Sequence, residues 1–192
     1  MRELPCTTCG AAIPFKSSVT LIAVCPYCAS QVLRSDMNLE NLGKVAELQE
    51  DGSPLQLYST GTFDGDSFAV LGRIQLKFPE GFWNEWFIDF NSGRQGWLGE
   101  AQGLYAVSFK AEAKENLPGF AALEVGRRLT LGGEEFSVRD LRRASYLSAQ
   151  GELPFKPPLG ETAPLADLQG KDDRFATIDY SEEQPILFLG HM

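Results

Sequence analysis

Two Cys-x-x-Cys pairs, Cys6–Cys9 and Cys25–Cys28, hold every cysteine of this 192-residue chain within its first 28 positions. A disulfide-built protein spreads its cysteines through the fold. Two such pairs fifteen residues apart have the spacing of a four-thiolate metal site. Zinc takes thiolates tetrahedrally at about 2.3 Å, and a closed four-cysteine shell leaves no coordination position for substrate. The expectation is one structural Zn2+ on Cys6, Cys9, Cys25 and Cys28, in a zinc ribbon spanning residues 1–35. Iron is the competing metal, since a four-thiolate cage also suits it. Gly10 follows the first pair, where the turn needs positive φ. Pro26 pre-sets φ within the second pair. Ile13–Phe15, Val19–Val24 and Gln31–Leu33 read as short strands beside the pairs.

Charge narrows the partners. The net charge is −9, whereas nucleic-acid binding draws on neutralised phosphates. The ribbon alone carries Arg2, Lys16 and Arg34 against Glu3, a small excess that a metal–thiolate centre cancels. No nucleic-acid partner is expected. The apolar run Val19–Val24 is far short of the roughly 20 residues that span a bilayer. The N-terminal stretch has no signal-peptide core, so a cytoplasmic location without direct membrane insertion is expected.

The fold class expected is mostly β: the small ribbon, a connector over residues 36–52, and a β-rich domain over 53–192. In the connector, Leu39, Leu42, Val45, Ala46 and Leu48 fit a helix or an extended linker equally well. Beyond it, Leu55–Leu57, Phe68–Val70, Ile74–Leu76, Trp86–Phe90, Gly96–Leu98 and Tyr105–Phe109 favour strands. Asp64-Gly65, Asn91-Ser-Gly93 and Gly132-Gly133 are hairpin signals. A weak repeat runs through this region. Thr62–Val70 parallels Thr130–Val138, and Ile88-Asp-Phe90 parallels Ile178-Asp-Tyr180. It suggests two related small β-barrel-like or hairpin modules, 53–115 and 120–192, the second interrupted by the Pro-rich loop Leu153–Leu159.

Outside the cysteines, one short stretch concentrates chemistry: Trp83, Asn84, Glu85, Trp86, Trp97, Glu100 and Gln102. A hairpin around Asn91-Ser-Gly93 brings these groups together. Three readings stand side by side: β core, a partner or cationic-ligand surface, and a carboxylate acid–base pair of Glu85 and Glu100. Strand alternation puts Trp83 and Trp86 on opposite faces, with Glu85 opposite Trp86. A basic group, Arg127, Arg128, Arg139, Arg142 and Arg143, is either matched by nearby Glu124, Glu134, Glu135 and Asp140 or offered to an anionic partner such as a protein's acidic face. His191, the single histidine, stands beside the C-terminal residue. There is no phosphate-loop motif, and no cysteine is left over as a nucleophile. A non-enzymatic scaffold or protein-interaction module is therefore expected. The alternative is a small-ligand receptor or carboxylate-based enzyme with a pocket around Glu85 and Glu100.

Together, the ribbon, Leu42-Gly-Lys-Val-Ala-Glu47, Ser53-Pro-Leu55, Val70-Leu-Gly-Arg-Ile-Gln75, Trp83-Asn-Glu-Trp86, Gly96-Trp-Leu98, Glu100-Ala-Gln-Gly103 and Gly151-Glu-Leu-Pro-Phe155 resemble the bacterial domain of unknown function 4178 family, in its form with an N-terminal zinc ribbon. Ala29 departs from the pattern, standing where a ribbon more often has glycine. The resemblance implies a bacterial, mostly β protein with a metal ribbon, and it hints at a protein partner of membrane-associated or polyamine-related character. It implies no reaction.

Overall fold

The computed structural model describes residues 2–35, 38–79, 81–113 and 116–192. Among these there is no α-helix, only a single 3-10 turn at Phe120–Ala122. The ribbon holds β1 (Arg2–Pro5) paired with β2 (Ala12–Phe15), followed by β3 (Ile22–Val24) and β4 (Ser30–Ser35). The first part of the expected connector forms β5 (Asn38–Lys44), a further strand beside β4. From Val45 to Ser59 the chain then runs without regular structure as a strap over the next strands. Leu55–Leu57, expected as a strand, lies in that strap. Ser59 donates to the Gln56 carbonyl (3.1 Å), and Tyr58 takes φ +71, so the chain turns instead of pairing.

The remaining strands are β6 (Thr60–Phe63), β7 (Asp66–Phe78), β8 (Gly81–Phe90), β9 (Gln95–Ala101), β10 (Leu104–Ala111), β11 (Arg128–Leu131), β12 (Glu134–Leu153), β13 (Thr162–Gln169), β14 (Arg174–Asp179) and β15 (Ile186–His191). The three glycine-containing turn signals all make hairpins: β6–β7, β8–β9 and β11–β12. Every pairing among the described residues is antiparallel. Followed strand to strand, β12–β13–β14–β15–β10–β9–β8–β7 returns to β12, so eight strands close into a ring. Closure removes the unpaired edges that an open sheet would expose.

The ring is built from two equivalent halves. Val70 and Val138 are each the last paired residue before a bulge. Val70 exchanges backbone hydrogen bonds with Tyr58 and Ser59, and Val138 does so with Gly126 and Arg127. All these equivalents lie 68 positions apart. From β8 and β13 onward the shift is 80: Ile88 faces Gly96 as Leu168 faces Ala176, and Leu98 faces Val107 as Ile178 faces Leu187. The Phe-x-Val repeat therefore marks real equivalence. Ile88-Asp-Phe90 and Ile178-Asp-Tyr180 do not correspond, because they lie on the second strand of one half and the third of the other. The change of shift places twelve extra residues between Ser145 and Thr162, covering the end of β12 and the Pro-rich loop.

Strand alternation gives the ring two faces with different cores. Ile74, Leu76, Phe87, Ala144, Tyr146 and Leu165 share one cluster with Trp97 of β9 packed against it; β9 and β13 stand opposite each other in the ring, so this face is the lumen. The outer face carries two separate clusters. Val70, Trp86, Ile88, Phe90, Leu98 and Val107 pack under Leu55, Phe63 and Phe68. Their equivalents Val138, Ala166, Leu168, Ile178 and Leu187 pack with Leu123, Leu131 and Phe136. Each half folds its own first hairpin over its outer face, and this fits the apolar character of both faces of β8.

Candidate functional site

The sulfur atoms of Cys6, Cys9, Cys25 and Cys28 lie within 4.8 Å of one another. Cys6 Sγ is 3.7 Å from Cys28 Sγ, and Cys9 Sγ is 3.7 Å from Cys25 Sγ. A tetrahedron with 2.3 Å metal–sulfur bonds has edges of about 3.8 Å, so the four thiols are arranged to hold one metal ion. Two equal turns bring them there. The Gly10 amide donates to the Cys6 carbonyl at 2.9 Å, and the Ala29 amide donates to that of Cys25 at 3.0 Å. Both fifth residues are left-handed, Gly10 at φ +76 and Ala29 at φ +57. A side chain in that region costs about 1–2 kcal/mol, part of which glycine returns as unfolded-state entropy. Ala29→Gly is expected to stabilise the ribbon by about 0.5–1 kcal/mol. The check is the chelator concentration that strips the metal, which should rise; an unchanged or lower value would count against the strain.

The tryptophan segment divides between the two faces of the ring. Asn84 pairs with Glu100 across β8–β9, and both lie on the outer face with Trp86. There the Glu100 carboxylate accepts from Ser53 Oγ (2.6 Å), Asn84 Nδ2 (3.2 Å), the Trp86 indole (2.9 Å) and the Tyr105 hydroxyl (3.1 Å). Asp51 accepts from Asn84 Nδ2 at 2.6 Å and pairs with Arg73, whose Nε donates to Asn84 Oδ1 at 2.8 Å. The guanidinium also sits 4.8 Å over the Trp86 ring. Burial pushes Asp51 up, but the Asn84 hydrogen bond, the Ser53 amide and Arg73 together hold it below the ordinary carboxylate range. Gln75 exchanges two hydrogen bonds with the backbone of Gln49 (2.7 and 3.0 Å), as a neighbouring strand would. The network clamps the strap onto β7, β8 and β9. Ser53, Arg73, Gln75, Asn84, Trp86 and Glu100, all within the motifs that carried the resemblance, make most of it.

Glu85 pairs with Gly99 and points into the lumen, its carboxylate lying over Gly99. It therefore shares no pocket with Glu100, which is across the sheet. Trp83, half-buried on the same face, donates its indole N–H to Glu85 at 2.8 Å. The other half of the ring supplies Asp179, which accepts from the Tyr146 hydroxyl (3.1 Å), and Asp167, which accepts from Thr177 (2.9 Å) and lies 3.5 Å from Arg142. Some solvent still reaches Glu85, yet protein surrounds it at longer range. Burial pushes it up to about 7; Trp83 opposes the shift, while Asp167 and Asp179 add to it. Trp97 packs at a tilt against Phe87 (5.5 Å) and against Phe155 of the Pro-rich loop (5.7 Å). Gln102, at φ +52, turns the β9–β10 hairpin in solvent, apart from the other six. Sequence reasoning missed Asp167, Asp179 and Tyr146; only Asp167 carries a sequence signal, a carboxylate where the first half has Phe87. Of the basic group, Arg142 pairs with Asp140 and Asp167, and Arg127 caps the Ala122 carbonyl at 2.5 Å.

The sequence model of one family, described as Domain of unknown function (DUF4178), matches residues 56–192. The match begins inside the strap and covers the whole ring. No curated protein and no solved structure matches.

Proposed function

The chain belongs to the DUF4178 family, whose description names no activity, and we propose from its own geometry that it is a non-enzymatic, zinc-stabilised protein-interaction module. The observation carrying this is the use to which the reactive groups are put. All four thiols converge on one closed site, and Glu100 spends both its oxygens on four internal donors. The metal is zinc, held structurally with no position open to substrate. The partner is a protein, and Trp83 is its contact. Half-buried beside Glu85, that ring offers an anchor of the kind that carries binding energy at interfaces, whereas Trp86 is fully occupied inside. The test is affinity purification of the tagged chain from its native host, with elemental analysis of the product. One zinc per chain and a specific partner, weakened by about 2 kcal/mol or more in a Trp83→Ala protein shown to be folded by circular dichroism, support the reading. Stoichiometric iron overturns the metal assignment, and full partner binding by Trp83→Ala overturns the surface.

A second reading, a receptor for a small cationic ligand, draws on the convergence of Glu85, Asp167 and Asp179 on the lumen with Trp83 close by. Titration of the purified chain with simple organic amines, followed by tryptophan fluorescence, separates the two. Saturable binding lost in Glu85→Gln favours the receptor, and no binding up to millimolar amine leaves the interaction module.

A further inference from the structure

Ring closure, ribbon docking and backbone strain meet in one stretch of chain. Tyr146–Gly151 closes the ring against Gly72–Leu76 of β7, using the extra residues of the second half. Gly151–Leu153 also pairs with Ile22–Val24, and Cys25 follows that ribbon strand directly. Since Gly151 faces both Gly72 and Val24, ribbon and ring hold opposite edges of the same strand. Between them sits Glu152, only 2% exposed. Its carboxylate accepts from the Lys16 amide (2.9 and 3.0 Å), the Ser17 amide (3.2 Å) and Thr20 Oγ1 (2.6 Å). All three donors belong to the link between β2 and β3, which joins the two cysteine pairs. Among the described residues no lysine or arginine forms an ion pair with Glu152.

Tyr58 adds an independent sign. It is left-handed at φ +71, where its equivalent in the second half is Gly126 at φ +91. A non-glycine residue stays there only when its surroundings hold it. The Tyr58 ring lies 3.3 Å beneath Lys16 Nζ, so this strained residue of the strap touches the ribbon.

We propose that the metal centre is the clasp of the ring. A filled centre keeps residues 16–20 folded, and these residues supply every hydrogen bond to the Glu152 carboxylate. An emptied centre withdraws them. A buried carboxylate without donors is strongly disfavoured, so the end of β12 must turn outward, opening the β7–β12 seam and with it the lumen. The proposal needs a metal on the four cysteines and is independent of the interaction role.

Hydrogen–deuterium exchange on the full chain tests it, comparing metal-loaded protein with protein stripped by EDTA, metal content being measured in both. Amides of Tyr146–Leu153 and Gly72–Leu76 are expected to exchange at least tenfold faster after stripping, while those of Arg174–Asp179 and Ile186–His191 keep their rates. Faster exchange confined to residues 2–44 after proven metal loss would overturn the clasp and leave the metal site standing. Loss of protection in every strand would overturn it as well, because the metal would then support the whole fold and no particular seam. A chain that binds no metal overturns both. Glu152→Gln, which turns an amide N–H2 toward the ribbon donors, is expected to open the same seam with the full metal complement retained. An unchanged seam in that variant would assign Glu152 no coupling role.

Discussion

Trp86→Ala is expected to lower the unfolding free energy by about 3–5 kcal/mol, the range for emptying the site of a large buried aromatic. The ring is 1% exposed, among the largest fully buried side chains of the molecule. Its loss removes more than volume. Glu100 loses the indole donor at 2.9 Å, and Arg73 loses the aromatic face on which it lies. Trp86→Phe keeps most of the packing and deletes the donor, so it should cost about 1–2 kcal/mol. Urea unfolding at neutral pH measures both. A deficit below about 2 kcal/mol for alanine would mean that the strap settles into the gap and that the network is not fastened to the core.

The second large effect is a pH dependence set by Glu85. Its pKa is raised from an ordinary 4.5 to about 7 by burial and by Asp167 and Asp179. Between those two values the folded chain holds a proton that the unfolded chain has released. Stability must therefore fall as pH rises through this window, by about 1.4 kcal/mol per unit, and the loss is complete above pH 7. Glu85→Gln keeps an oxygen for the Trp83 indole and removes the titration. Relative to the parent, the variant should gain about 3 kcal/mol between pH 4.5 and pH 8 and be the more stable protein at the alkaline end. Denaturant midpoints at pH 4.5, 6 and 8 provide the measurement, and parallel curves for the two proteins would refute the assignment.

Features fixed by local chemistry were legible from the sequence. The metal site was, because thiolate coordination demands particular residues at particular intervals. The hairpins at Asp64-Gly65 and Gly132-Gly133 were, because few residues accept their backbone angles. Alternation alone put Trp83 beside Glu85 and opposite Trp86. What escaped depends on register between distant strands. Glu85 and Glu100 read as a pair because both lie near one hairpin, but Asn84 faces Glu100 and Glu85 faces Gly99, a one-residue difference that sends the carboxylates to opposite faces. The contact between Glu152 and Lys16 spans 136 positions, and no local pattern announces it. Leu55–Leu57 had the alternation of a strand, yet the turn at Tyr58 takes it out of the sheet. The closure of the ring was hidden for a similar reason: Tyr146–Gly151 looks like any other strand, and only its partner in β7 shows that the sheet meets itself.

The two-half construction has a consequence for symmetry. Phe109 faces Leu189 across β10–β15, and these two residues are themselves equivalents, so a pseudo-dyad runs through that seam as it would between two identical subunits. Such a pair of separate chains would have to carry the twelve-residue extension twice or not at all. Fusion into one polypeptide lifts that constraint. One copy can keep the short β7–β8 turn while the other lengthens β12, and the lengthened copy is the one on which the cysteine-bearing segment has docked. The asymmetry is thus concentrated in one half, and the ribbon sits off the pseudo-dyad on the half that carries the extension.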